Sequence, residues 1–84
     1  MPTPAETARA AARRVKIVDA LIARRTAGQR PPFTRELARE HGVVEGTIRL
    51  DLRVLERLGV IERDGTAGGI RLDLDKLEQI RARA

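Results

Sequence analysis

At Gly59 the hydrophobic period of this chain changes. Before it, apolar residues recur three and four positions apart: Leu37 and Ala38 in TRELAREHG, then Ile48, Leu52 and Leu55. After it, Ile70, Leu72 and Leu74 alternate with Arg71 and Asp73, preceded by Val60, Ile61 and the turn-forming segment DGTAGG. A period of 3.6 belongs to a helix packed on one face, and a period of 2 to a half-buried strand. The pattern predicts two short helices across a glycine turn, followed by a β-hairpin.

Helix boundaries are written in small residues. Thr3-Pro4-Ala5-Glu6 places threonine at an N-cap, proline at the first helical position and glutamate at the third, the capping-box arrangement. This first helix is expected to run to about Ala27. It turns amphipathic at Val15, with Val18, Leu21, Ile22 and Arg25 at helical spacing and Ile17 beside them. Gly28 ends it, and the proline-stiffened loop Gln29 to Phe33 cannot continue it. Thr34 is read as the cap of the second helix, Gly42 as its left-handed exit, and Gly59 as the close of the third. His41, in a last turn where a cation suits the helix dipole, reads as a polar terminus rather than a ligand. Asp75, with Glu78 three residues on, is read as the cap of a final helix with Leu77 and Ile80 on its apolar face.

Three segments follow. Residues 1–14 are a basic, alanine-rich helical extension, with Arg9, Arg13 and Arg14, and Lys16 just beyond, read as solvated against the alternative of a DNA-contacting or dimer-forming arm. Residues 15–74 form the folded domain, and residues 75–84 a short C-terminal helix. The fold class expected is mainly α with a small β-hairpin wing.

What is missing from the sequence excludes several function classes. There is no serine, cysteine, tyrosine, tryptophan or asparagine, so His41 lacks an obvious nucleophile to activate and no enzyme is expected. Without cysteine and with one histidine, neither a disulfide nor a tetrahedral metal site can be built. No cofactor and no small-molecule ligand are evident. No run approaches the roughly 18 apolar residues of a membrane span, and MPTPAETARAAARR lacks the apolar stretch of a secretory signal. A cytoplasmic protein is expected.

The net charge of +5 and an isoelectric point of about 11.2 favour a polyanionic partner, although an arginine and alanine bias also arises from genome composition. Phe33 is the single aromatic residue, so the stacking platforms that hold splayed bases cannot form. A nucleic-acid ligand would therefore be duplex. On the third helix, at about 100° per residue, Gly46, Leu50, Arg53 and Arg57 fall opposite the Ile48, Leu52 and Leu55 stripe, with Arg49 at the edge. A helix fits the major groove, and arginine can donate two hydrogen bonds to guanine, worth about 1–3 kcal/mol of discrimination per good pair. Thr47 suits a phosphate or a base, Gly46 lets backbone approach DNA closely, and Leu50 suits a thymine methyl or a protein. Arg35, Arg63 and Arg71 are candidate phosphate or minor-groove contacts.

The stretch PPFTRELAREHGVVEGTIRLDLRVLERLGVIERDGTAGGIRL, Pro31 to Leu72, resembles the N-terminal winged-helix domain of LexA-type repressors. The shared features are a proline-led second helix, an L-x-x-L-x-x-x-G-x-I-x-R passage and a closing G-I-R-L. Its centre, GVVEGTIRLDL, also resembles the DeoR-type pattern G-V-S-E-x-T-I-R-R-D-L, departing from it at Val44, where that pattern has a serine cap, and at Leu50, where it has arginine. The resemblance implies a winged helix-turn-helix of three helices and a two-stranded wing, with Glu45, Thr47, Arg49 and Arg53 at the DNA. The serine–lysine self-cleavage domain of LexA-type repressors and the DeoR-type effector domain are not expected here.

Together these readings predict a sequence-specific double-stranded DNA-binding protein, a stand-alone transcriptional repressor that acts by occupying its site as a homodimer on a two-fold sequence. Two alternatives stand beside it. One is a DNA-binding subunit of a replication, partition or recombination complex, and the other a winged-helix protein-interaction module using Leu50 and Val54.

Overall fold

The computed structural model describes residues 3–64 and 69–83, apart from the side chains at 64, 69 and 80–83. Its elements run α1 (Pro4–Thr26), α2 (Thr34–His41), α3 (Glu45–Arg57), β1 (Ile61–Asp64), β2 (Gly69–Leu72) and α4 (Leu74–Arg83). The described chain is thus mainly α, four helices with one antiparallel hairpin. The expected hairpin tip at 65–68 and the side chain of Ile80 lie outside the described residues.

The Thr3 cap forms as expected. The Glu6 N–H donates to Thr3 Oγ1 at 3.2 Å, and the Thr3 N–H donates to Glu6 Oε2 at 3.4 Å. The first three helices then end on one repeated device. Gly28, Gly42 and Gly59 have φ of 72°, 65° and 77°. The residue after each glycine donates its N–H five positions back: Gln29 to Arg24 O at 2.8 Å, Val43 to Ala38 O at 3.0 Å and Val60 to Leu55 O at 3.2 Å. A left-handed glycine satisfies terminal carbonyls at no steric cost, which is why these three positions set the helix lengths. Between α2 and α3 only positions 42–44 remain, so the two helices share a tight corner.

The core is small and continuous. Ile17, Val18 and Leu21 of α1, Leu37 and Ala38 of α2, and Ile48, Leu52 and Leu55 of α3 are buried together with Val60, Ile61 and Ile70. Hairpin register pairs Ile61 with Leu72, Glu62 with Arg71, Arg63 with Ile70 and Asp64 with Gly69. Ile61, Ile70 and Leu72 therefore share the face that closes the core.

Four local expectations are corrected. Val15 is 61% exposed, because at about 100° per residue it lies to the side of the stripe formed by Ile17, Val18 and Leu21. Thr34 is already helical: Phe33 precedes the helix with extended φ and ψ, and the Glu36 carboxylate accepts from the Phe33 N–H at 3.3 Å. Leu74 does not extend β2 but opens α4. The cap of α4 is Asp73 rather than Asp75, since Asp73 Oδ1 accepts the Lys76 N–H at 2.9 Å while the Asp73 N–H still donates to Val60 O at 2.8 Å. One residue thus ends the hairpin and starts the helix. Among the described residues no helix is long and apolar enough to cross a membrane.

Candidate functional site

Helix α3 is built with two unlike faces. Ile48, Leu52 and Leu55 are buried, whereas Glu45, Gly46, Arg49, Leu50, Arg53 and Arg57 are exposed and Thr47 is half-buried. The 3.6-residue period delivers this separation once the apolar stripe is packed. From Arg49 to Arg57 the cationic face extends over two turns, about 12 Å at 1.5 Å per residue.

The arginines on this face are in different states. Arg49 Nη2 donates to Glu45 Oε2 at 3.0 Å, a pair four residues apart in which both side chains remain about half exposed. Such a pair is worth only a few tenths of a kcal/mol, so the guanidinium is readily given up to another acceptor. Arg53 and Arg57 make no hydrogen bond or ion pair among the described residues. Leu50 lies about 20° beyond Arg57 around the helix and is 60% exposed. At the start of the helix, Val44 occupies the cap position with no side-chain hydrogen bond, leaving the first-turn amides without a side-chain acceptor.

The remaining candidates are exposed but dispersed. Arg35 stands in the first turn of α2. On the hairpin, Arg63 belongs to the face of Ile61, Ile70 and Leu72, and Arg71 to the opposite face, across from Glu62. A flat surface laid against one face of the hairpin therefore meets one of these two arginines, not both.

The charged contact that sequence reading missed is on the inner side of α3. Asp51 is 1% exposed, the one buried charged residue among those described. Arg13 grips it with both arms of its fork, Nε to Oδ2 at 2.5 Å and Nη2 to Oδ1 at 3.1 Å, and Arg14 Nε donates to Oδ1 at 3.2 Å. The hydrogen bond to Asp51 is the main reason the Arg13 pKa lies above its ordinary value; burial opposes the shift, and the carboxylate charge adds to it. Arg13 and Arg14 are therefore half-buried and ion-paired rather than free in solvent, whereas Arg9 and Lys16 are exposed as expected. A signal was available. At about 100° per residue Asp51 falls inside the apolar arc, between Leu55 and Leu58. A carboxylate there needs a cation on the element packed against it.

A second ion cluster fixes the start of α2. Arg30 pairs with Glu36 at 2.9 Å and lies over the Phe33 ring, 4.4 Å from its centroid. The hydrogen bond from Arg30, then that from the Phe33 amide, hold the Glu36 carboxyl below the ordinary carboxylate range. Arg24 of α1 also pairs with Glu40 of α2.

An apolar groove of about 320 Å³ runs between α1, the end of α3 and α4, lined by Val15, Val18, Val54, Leu58 and Leu77 among others. Comparison with family models, with curated proteins and with solved structures returns no match to this chain.

Proposed function

We propose that this chain is a winged helix-turn-helix protein that binds double-stranded DNA with α3 in the major groove, and that it represses transcription by occupying its site. The observation that carries the reading is the outer face of α3. Three exposed arginines, two of them free of carboxylate partners among the described residues, lie opposite the buried stripe on a helix reached through a three-residue corner. A helix of this kind presents guanidinium forks to guanine edges over roughly 12 Å, the rise of three to four base pairs.

Several features agree with it. At the start of α3 the Glu45 and Gly46 amides have no side-chain cap and suit a phosphate, which a helix N-terminus attracts. The hairpin follows α3 as a wing does, and its split arginines leave one for the duplex while Arg71 faces away or the reverse. The single aromatic residue, Phe33, carries Arg30 over its ring, and one ring does not make the stacking platform that unpaired bases need. A homodimer on a two-fold site follows from size, because one small module offers limited specific contact.

Selection from a random duplex pool at about 150 mM salt tests the reading, since purely electrostatic binding is weakened there. An enriched motif is expected, rich in G·C pairs. Arg49→Ala with Arg53→Ala should weaken binding to that motif by about 2–6 kcal/mol, the worth of two base contacts. Wild-type affinity in the double variant would sink the assignment.

One observation favours a second reading, a protein-interaction module. Leu50 is 60% exposed at the edge of the cationic face, and Val44, at the start of the same helix, is 72% exposed. Leu50→Glu separates the two: loss of a protein complex with DNA affinity retained supports the module.

A further inference from the structure

Asp51 lies on α3 almost directly behind the arginines of the outer face, about 160° around the helix from both Arg49 and Arg53. Burial of a lone carboxylate costs several kcal/mol, so its place in a core this small needs a reason beyond packing. Leu or Ile at this position would fill the same space without that penalty.

The geometry supplies the reason. Aliphatic contacts are non-directional and allow a helix to roll against its neighbours. The three hydrogen bonds from Arg13 and Arg14 to the two Asp51 oxygens are directional, and the Arg13 fork is planar. They fix α3 against α1 both in rotation and along its axis. The leverage is large: rolling α3 by about 20° sweeps a side-chain tip roughly 6 Å from the axis through about 2 Å. A recognition contact tolerates only ~0.5 Å.

We propose that Asp51 is a positioning residue for base recognition, and that its clamp by Arg13 and Arg14 sets the rotation of α3 at which Arg49 and Arg53 meet base edges. This rests on the DNA-reading function proposed above. The clamp makes the N-terminal half of α1 part of the reading unit, although none of its residues need touch DNA. It also withdraws Arg13 and Arg14 from the pool of cations open to phosphate.

The test compares binding to the selected duplex with binding to a scrambled one, alongside thermal melting. The variant is the triple exchange Arg13→Met, Arg14→Met and Asp51→Leu, which removes all three charges together and leaves none buried alone. The expected result is a melting temperature within a few degrees of wild type, scrambled-duplex affinity within about twofold, and discrimination reduced about tenfold or more, the order of one lost base contact. A merely structural role lowers both affinities alike and leaves their ratio unchanged, and that result overturns the proposal. If the triple variant fails to fold, Asp51→Glu carries the same test, because it keeps the charge and moves it by one methylene. Reduced discrimination at unchanged melting supports positioning, and full discrimination overturns it. If the wild-type protein enriches no sequence from the pool, the DNA-reading premise fails and takes the positioning role with it.

Discussion

Gly46 stands in the first turn of α3 without a positive φ, and a Cβ built there meets nothing within 4 Å. Neither the backbone nor the packing of this chain requires glycine at that position, unlike Gly59, whose φ is 77° and over which the Lys76 side chain lies. Glycine inside a helix costs about 0.5–1 kcal/mol relative to alanine. Gly46→Ala should therefore raise stability by about that amount in urea denaturation. If backbone approaches DNA here, the same variant binds the selected duplex more weakly, and stability and affinity move in opposite directions. A rise in stability with unchanged affinity would remove Gly46 from the interface. Glu36 gives a second residue-scale expectation. Its carboxyl is held below the usual range by Arg30 and by the Phe33 amide. A depressed folded-state pKa contributes stability that is complete above the unfolded value, about 4.3 for glutamate, and is lost as pH falls through the folded one. Glu36→Gln should therefore be less stable than wild type at neutral pH, and acid titration of helicity should show the difference closing below about pH 4.

At the scale of elements, α1 divides at the clamp rather than at the start of its apolar stripe. Deleting residues 1–12 removes the Thr3 cap and two exposed turns but leaves Arg13 and Arg14 on Asp51. Deleting residues 1–14 removes both cations and leaves a carboxylate buried without a partner, a loss of about 3–5 kcal/mol. The two truncations should differ sharply in chemical denaturation, although they are two residues apart. Equal stability would mean that Asp51 finds water once the arginines are gone. Helix limits themselves were legible, because a left-handed glycine and a capping threonine act through neighbours in sequence. The boundaries misplaced in sequence were those where two residues compete for one role. Thr34 and Asp75 have the chemistry of a cap, yet Phe33 and Asp73 hold the position because the loop anchored by buried Pro32 and the hairpin ladder fix where each helix begins.

For the whole molecule, the proposed homodimer is checked by sedimentation of the complex with a selected two-fold duplex. Two protomers per site are expected, with half-sites about 10 base pairs apart or a multiple of that. One protomer per site would remove the dimer and leave the proposed role of α3 standing. The affinity should also fall linearly with salt on logarithmic axes. Arg57→Ala should flatten the slope by about one if that residue meets a phosphate. The order of elements, the glycine stops and the outward face of α3 were legible from residue order, since all of these follow from periodicity and from residues a few positions apart. The partner of Asp51, the exposure of Val15 and the opposite faces of Arg63 and Arg71 came from the packing and pairing of elements. Each depends on which surface of one element meets another: Arg13 and Arg14 reach Asp51 across almost 40 positions, and the hairpin register sets the faces of Arg63 and Arg71, neither of which local periodicity reports.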